Sequence, residues 1–252
     1  EPIADCVAEV IASGYLIKGP RTEAFEREFA DFLGLEPPAL LIGNATDGLE
    51  LALRTLRAGP GSKVVTVANA GFYGTAAIRQ VGATPIFVDV DRDHLANIDA
   101  IIAACLSDSS IIAVIATHLY GNVLNVTDLR RRLPRQVAII EDCSQAHGAT
   151  LGQTRVGSMS DIGVFSFYPT KNLPAMGDAG SLTFRSRNIR TRAAQLSQYG
   201  WSDKYTVTLG DGRNSRADEI QAAILSLGLE DLDARNKKRR EIAHCFADAL
   251  PS

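Results

Sequence analysis

The chain has 252 residues, of which 46% are hydrophobic, and a formal net charge of −3. This length and composition suit one large α/β domain with a sizeable core. The charges are scattered, and the one dense basic run, RNKKRR at 235–240, is typical of a solvated helix face rather than of a nucleic-acid groove. No apolar run is long enough to span a bilayer, and four cysteines are too few for a disulfide framework. We therefore expect a cytoplasmic protein with reduced thiols and with neither nucleic-acid nor membrane partners.

The first 140 residues alternate short β-branched runs with amphipathic segments. Five runs are almost continuously apolar, as are strands covered on both faces, at 39–42, 63–67, 85–89, 111–115 and 137–141. Four segments between them have helical periodicity, at 45–56, 72–81, 97–106 and 126–133. This βαβα order predicts a mostly parallel sheet with right-handed crossovers.

The pattern changes after residue 141. Two more apolar runs, at 162–167 and 180–184, follow one another through loops rather than through a full helix. We therefore predict an α/β fold of three layers, α/β/α, around a mostly parallel seven-stranded sheet. The sequence is mainly helical beyond it, so we expect residues 1–215 to form a large domain and residues 216–252 a helical segment leading out of it.

Several polar residues follow the ends of different predicted strands. In open parallel sheets, ligands collect at the carboxyl ends of the strands, where helix N-termini also point. The residues at such ends are Asn44 to Asp47, His118, Asp142, Gln145, Ser166 and Lys171. Because these ends share one edge of the sheet, we expect the side chains to converge on one crevice.

The segment IGNATDGLELAL runs from a strand into a helix and places Ala45, Thr46 and Asp47 at the helix start. Backbone N–H groups there lack intrahelical acceptors, and the helix dipole is positive. Asn44 or Thr46 could act as an ordinary N-cap, or the turn could hold a phosphate. Neither a Walker A motif nor G-x-G-x-x-G occurs in the chain.

The segment VAIIEDCSQAHGA ends a buried strand with two carboxylates. Asp142 is costly to bury without a partner, so it is either a helix N-cap or an anchor for a protonated ring nitrogen. Cys143 and His147 match no common zinc spacing, and we expect no metal site.

Lys171 lies in SFYPTKNLPAMGDAG, a few residues beyond an apolar run and close to Ser166 and Thr170. A buried lysine has a lowered pKa and can form a Schiff base, whereas a surface-loop lysine would be inert. The combination of a helix start suited to phosphate, a strand-end Asp142 and a later lysine matches what a pyridoxal phosphate (PLP) site requires.

Seven segments together resemble the DegT/DnrJ/EryC1/StrS family of nucleotide-sugar aminotransferases, which are PLP-dependent enzymes of fold type I. They are, in order, GYLIKGPRTEAFEREFADFLG, GNATDGLELALRTL, GATPIFVDVD, HLYGN, IEDCSQAHGA, SFYPTKNLPAMGDAG and NSRADEIQAAIL. The resemblance implies that residues 1–215 are the PLP-binding large domain. It also implies that 216–252 leads toward a small C-terminal domain absent from this chain, which would leave the apolar face around Ile224 uncovered.

The resemblance also implies roles for individual residues. Lys171 would form the Schiff base and shuttle a proton, while Asp142 would pair with the pyridine nitrogen. The remaining implied cofactor-binding residues are Gln145 near the ring hydroxyl, Phe72 stacked on the ring, Ala45, Thr46 and Ser166 at the phosphate, and Asn214 reaching the phosphate of a neighbouring subunit in a homodimer. A core aromatic at Phe72 and a turn or N-cap residue at Asn214 are the structural alternatives.

The implied reaction moves an amino group from an amino acid, with L-glutamate as expected donor, to a nucleotide-linked keto-sugar such as a dTDP-3-keto-6-deoxyhexose. Two alternatives stay open, a PLP-binding regulatory or sensor protein on the same fold and a cyclitol aminotransferase. Ala45 stands where the family usually has glycine, and Pro174 and Ala175 also depart from its pattern. Lys171 itself argues against the family's dehydratase branch, in which a histidine takes that position.

Overall fold

The computed structural model describes residues 2–250, with Glu1 and the last two residues outside the description. Its α-helices are α1 (Pro2–Ser13), α2 (Pro20–Leu33), α3 (Ala45–Thr55), α4 (Tyr73–Gln80), α5 (Ile98–Ser107), α6 (Val126–Arg132), α7 (Arg187–Leu196), α8 (Glu219–Glu230) and α9 (Leu232–Ala249), and a short 3-10 helix spans Leu119–Gly121. Its strands are β1 (Leu40–Ile42), β2 (Lys63–Val67), β3 (Thr84–Val88), β4 (Ile111–Thr117), β5 (Ala138–Asp142), β6 (Thr150–Leu151), β7 (Thr154–Arg155), β8 (Ile162–Ser166), β9 (Gly180–Phe184), β10 (Trp201–Asp203) and β11 (Thr206–Val207).

Seven of the strands form one sheet in the order β1-β9-β8-β5-β4-β2-β3. Strand β9 runs antiparallel to both of its neighbours, while the remaining pairs are parallel. The carboxyl ends of β5 and β8 therefore lie at the same edge of the sheet as the start of β9, where Ser166 pairs with Gly180. This is the edge at which the sequence predicts a crevice.

Helices cover both faces of the sheet. Along β5 and β8, successive residues alternate between two separate buried clusters: Ile139 and Phe165 belong to one, Ile140 and Val164 to the other. Because successive strand side chains point to opposite faces, each cluster is the core between the sheet and one helical layer. The three-layer α/β/α fold with a mostly parallel seven-stranded sheet is confirmed.

Two features of the C-terminal third differ from the sequence predictions. Residues 201–207 form a small antiparallel hairpin, β10–β11, where we expected helix. The apolar face of α8 is not uncovered either: Ala223 and Ile224 are buried against Cys6 and Val10 of α1. The N-terminal helix supplies the cover that we expected only from a further domain.

The described residues contain no helix that combines the length and the apolar character needed to cross a bilayer. All four cysteines are unpaired, as the sequence indicates; three are buried and Cys245 is exposed.

Candidate active site

A cavity of about 480 Å³ opens at the carboxyl edge of the sheet. Its volume lies within the range of about 300–1,000 Å³ that is usual for small-molecule sites. The lining comes from the ends of several strands and comprises Asn44, Ala45, Thr46, Leu49, Ala70, Tyr73, Thr117, Leu119, Asp142, Ser144, Gln145, Ser166, Tyr168, Thr170, Lys171 and Asp178. Six of the eight predicted site residues therefore meet around one cavity.

The α3 N-terminus forms one wall of this cavity. Asn44 is its N-cap, and the side-chain oxygen of Asn44 accepts the N–H of Asp47 at 2.8 Å. The cap and the phosphate interpretation do not compete, because the helix starts with Ala45 and Thr46, whose N–H groups have no intrahelical acceptor, and both residues line the cavity. The wall can therefore offer N–H donors and a positive dipole to an anion.

Gly180 lets this wall sit close to the sheet. A Cβ at Gly180 would lie 2.7 Å from the carbonyl carbon of Asn44 and 2.8 Å from the nitrogen of Ala45. Both contacts are with backbone and are too short for any side chain. The start of β9 thus has to be glycine for the α3 N-terminus to keep this position.

Asp142 is the last residue of β5 and is only 7% exposed. It pairs with Thr117 of β4 on one side and with Val164 of β8 on the other. Its Oδ1 accepts the N–H of Ser144 at 3.1 Å, which fixes the carboxylate at the wall of the cavity. A buried carboxylate in this position can hold a cationic N–H.

Lys171 lies in a turn that follows β8 rather than in the strand itself. Its backbone N–H binds the carbonyl of Tyr168 at 2.8 Å, and Ala175 N–H binds the carbonyl of Phe167 at 2.7 Å. Leu173, fully buried, anchors the turn in the core. The side chain of Lys171 is half-buried and so lies between the buried and the surface-loop alternatives. The turn places it at the cavity wall, which polar side chains also line.

Ser166 is the last residue of β8, and His147 supports it through a hydrogen bond to its backbone carbonyl. The Nε2 of His147 donates to the carbonyl of Ser166 at 2.8 Å, and its Nδ1 is buried without a hydrogen-bond partner among residues 2–250. Burial lowers the pKa of His147 to about 4; the hydrogen bond to Ser166 opposes this shift and the positive charge of Lys171 adds to it. His147 is therefore a neutral imidazole at neutral pH.

Of the remaining predicted site residues, Gln145 lines the cavity, whereas Phe72 and Asn214 do not. The side-chain oxygen of Gln145 accepts the N–H of Tyr120 at 2.8 Å. Phe72 caps α4 with a left-handed φ of 68° and is 66% exposed, so that the next residue, Tyr73, lines the cavity instead. Asn214 is exposed and outside the lining, and pairs with Gln198 in an isolated bridge.

The sequence reasoning assigned no role to several lining residues. Tyr168, Thr170 and Asp178 flank Lys171, and Ser144 follows Asp142 by two positions. Their closeness to the two central residues along the chain was the available signal. For Tyr73 there was none, because the sequence FY does not reveal which ring points inward.

A second group of buried polar side chains, His118, Glu141 and Cys143, lies close enough together to suggest a metal site. The Nδ1 of His118 accepts the N–H of Leu124 at 3.1 Å, so its Nε2 carries the proton and donates to Glu141, also at 3.1 Å. Burial raises the pKa of the Cys143 thiol well above its ordinary value, and the charges of Glu141 and Asp142 add to this. Because both His118 nitrogens are engaged and the thiol is held protonated, this arrangement favours a hydrogen-bonded core cluster over a metal centre.

Glu141 also supports the active-site strand. Burial acts to raise the pKa of Glu141, but hydrogen bonds from His118 and from Gly157 N–H outweigh it, and the pKa is lowered. The N–H groups of Gly157 and Met159 donate to its two oxygens at 2.8 and 3.1 Å. Glu141 thus ties β5 to the segment that leads into β8.

The chain belongs to the DegT/DnrJ/EryC1/StrS aminotransferase family, whose family model matches residues 1–252. It is 40% identical to the dTDP-3-amino-3,4,6-trideoxy-alpha-D-glucose transaminase of Micromonospora megalomicea subsp. nigra, over 98% of this chain and 66% of that protein. It is 34% identical to the erythromycin biosynthesis sensory transduction protein EryC1 of Saccharopolyspora erythraea, over 96% of this chain and 65% of the other.

Among solved structures, S. venezuelae DesV in complex with a ketimine intermediate superimposes with a TM-score of 0.93 at 33% identity. The match covers 99% of this chain and 67% of DesV. The chain thus spans about two thirds of the length of these relatives.

Aminotransferases of this family are PLP-dependent, and the cavity residues fit that cofactor. The required groups are an amine, a carboxylate for the ring nitrogen and anion donors for the phosphate. Lys171, Asp142 and the α3 N-terminus with Ser166 supply them around one cavity.

Proposed function

We propose that this protein is an aminotransferase that moves an amino group from an amino acid, with L-glutamate as donor, to a nucleotide-linked keto-sugar. One observation carries the proposal: Lys171, Asp142 and the α3 N-terminus surround a single cavity. When bound there, PLP supplies an electron sink for negative charge on the substrate carbon.

The cavity residues divide into those that hold the phosphate and those that hold the ring. The first-turn N–H groups of Ala45 and Thr46 and the hydroxyl of Ser166 would bind the phosphate. The carboxylate of Asp142 would accept the N–H of the pyridine ring and keep that nitrogen protonated, and Gln145 would lie beside the ring hydroxyl.

Phe72 is proposed to cover the face of the ring. It precedes Tyr73, which lines the cavity, and its exposed side chain is not held in a core. Tyr73 is a second candidate for the same role.

Lys171 is proposed to hold the cofactor covalently in the resting protein and to move a proton during transfer. With its amine free, Lys171 Nζ would accept the proton from the substrate carbon and donate it again during amino transfer. The turn that carries Lys171 is anchored by Leu173 in the core, so the amine can be freed without loss of its position.

A dTDP-3-keto-6-deoxyhexose is the proposed class of acceptor, which the name of the Micromonospora relative supports. Two alternatives keep the cofactor site: a regulatory or sensor protein, in line with the name of the EryC1 relative, and a cyclitol aminotransferase. We also propose a homodimer in which Asn214, which is exposed and does not line its own cavity, reaches the phosphate of the neighbouring subunit.

The test begins with borohydride reduction of the PLP-loaded protein and peptide mapping. We expect the label on Lys171 and none on Lys63, which pairs with Asp108 at 2.7 Å by the start of β2. L-glutamate added to the unreduced protein should then release 2-oxoglutarate. Label on another lysine would overturn the site, whereas label on Lys171 without turnover would favour the sensor alternative.

Keto-sugar and keto-cyclitol acceptors are then offered to the protein that has taken the amino group from L-glutamate. The acceptor that becomes aminated distinguishes a nucleotide-sugar aminotransferase from a cyclitol aminotransferase. Sedimentation or light scattering of the unmodified protein tests the proposed dimer. Comparison with the Asn214→Ala variant tests the shared site.

A further inference from the structure

Asn236 is a buried polar residue near the start of α9, outside the cavity lining. It is 6% exposed, whereas the residues that follow it, 237–240, are exposed. Asparagine is a poor helix former compared with alanine, and a buried amide requires partners. Its hydrogen bonds show what it does in this position.

The amide of Asn236 joins two segments of the active site. Its Oδ1 accepts a hydrogen bond from Asn172 Nδ2 at 2.8 Å, and its own Nδ2 donates to the carbonyl of His147 at 2.7 Å. Asn172 directly follows Lys171, and His147 donates from Nε2 to the carbonyl of Ser166 at 2.8 Å. One side chain thus connects the lysine turn with the loop that supports the end of β8.

The packing around this link is close. Gly148, with a left-handed φ of 78°, leaves room for the amide, since a Cβ there would lie 2.8 Å from Asn236 Nδ2. The start of α9 is fixed separately, because Arg155 makes two hydrogen bonds to Asp233 at 3.0 and 2.7 Å. The Arg155–Asp233 contact is thus a second link between the first turn of α9 and the segment that follows His147.

From this geometry we propose that Asn236 is a positioning residue that sets the distance between Lys171 and the phosphate-binding end of β8. The inference rests on the proposed PLP function. Asn236 acts through Asn172 and His147 and not by touching the cofactor.

The first measurement is hydrogen exchange of the apoprotein, which needs neither cofactor nor activity. In Asn236→Ala, peptides covering 145–150 and 168–176 should exchange several-fold faster, while those of β2 and β3 stay unchanged. Asn188→Ala, an exposed asparagine of α7, is the matched control and should alter neither region.

The second measurement is the rate at which added PLP becomes attached to Lys171, scored by borohydride trapping and peptide mapping. Loss of two hydrogen bonds of ordinary strength should slow attachment about tenfold in Asn236→Ala. Asn172→Ala removes only one of the two bonds and should slow it less. The double variant should be no slower than Asn236→Ala, because both changes break one connection.

These outcomes separate the inference from the proposed function. If the unmodified protein attaches no PLP at Lys171, the function fails, while the exchange experiment still tests the link. If attachment and exchange in Asn236→Ala match the unmodified protein, the link is overturned and the function stands. Faster exchange throughout the chain, or additive effects in the double variant, would show a merely structural role and would also overturn it.

Discussion

Ser215 donates a hydrogen bond to Asp47 at 2.7 Å, from Oγ to Oδ2, across 168 positions of the chain. The same hydroxyl accepts the N–H of Gly43 at 3.1 Å, and Arg213 binds the other Asp47 oxygen at 2.9 Å. Residues 213–215, which include Asn214, therefore hold the first turn of α3 in place. It also engages the one negative charge in that turn, which would otherwise repel a phosphate there.

We expect Ser215→Ala to weaken PLP binding by about three- to tenfold, because the first turn of α3 loses one of the hydrogen bonds that hold it and such an indirect loss corresponds to about 0.5–1.5 kcal/mol. Pyridoxal, which has no phosphate, should lose less affinity. Equilibrium titration of both compounds measures the difference. Ser226→Ala also removes a hydroxyl bonded to a carboxylate, that of Glu28, between α8 and α2, and should leave both affinities unchanged. An equal loss for both ligands in Ser215→Ala would contradict the phosphate role.

Gly180→Ala should reduce PLP affinity more strongly. The added methyl group would meet backbone atoms of Asn44 and Ala45 at less than 3 Å, so the α3 N-terminus must move away from the sheet. We expect a loss of at least tenfold, with folding retained, because overpacking typically costs about 1–3 kcal/mol. The control is Gly210→Ala, where a Cβ meets nothing within 4 Å. Unchanged affinity in Gly180→Ala would show that the wall is not a phosphate site.

The strands of the central sheet could be predicted because buried parallel strands leave continuous β-branched runs, such as KVVTV for β2 and VAIIE for β5. The β10–β11 hairpin has no such pattern, since four of its seven residues from Trp201 to Val207 are polar or charged and its strands are largely exposed. Its pairing depends on the chain turning back on itself, which the sequence does not signal.

The central site residues could be predicted because strand ends in a parallel sheet share one edge. Two details could not. The left-handed φ of Phe72 turns Tyr73 toward the cavity, and this backbone choice depends on tertiary packing. Asn236 lies within RNKKRR, a run typical of a solvated helix face. Its burial follows from tertiary contacts with Asn172, His147 and Gly148, which the sequence does not reveal.

Asp142→Asn should bind PLP yet transfer amino groups slowly. The substituted side chain keeps an oxygen for the N–H of Ser144, so the local fold should persist, but it cannot balance a positive ring nitrogen. A charged hydrogen bond is worth about 1.5–3 kcal/mol, which corresponds to a rate loss of about 10- to 150-fold. Stopped-flow measurement of the glutamate half-reaction tests this, with the exposed Asp211→Asn as control. A half-reaction at the unmodified rate would remove Asp142 from the mechanism.

The pH dependence of stability provides a test of His147. Its pKa falls from 6.5 in the unfolded chain to about 4 in the folded protein, mainly through burial. Between these values the unfolded state binds a proton that the folded state does not, so stability is unaffected above pH 6.5 and is lost as the pH falls toward 4. At about 1.4 kcal/mol per pH unit, this loss is on the order of 3 kcal/mol.

His147→Gln removes the titrating group while its side-chain amide can still donate to the carbonyl of Ser166. Urea denaturation at pH 7 and at pH 5 should therefore give a smaller difference in unfolding free energy for the variant than for the unmodified protein. Buried carboxylates with lowered pKa values, such as Glu141 and Glu219, contribute equally to both proteins and cancel in the comparison. His244→Gln, at an exposed position of α9, should behave like the unmodified protein. If the difference in unfolding free energy between pH 7 and pH 5 is the same for His147→Gln and the unmodified protein, His147 is not the buried neutral imidazole that its contacts indicate. Its support of Ser166 would then have to be reconsidered.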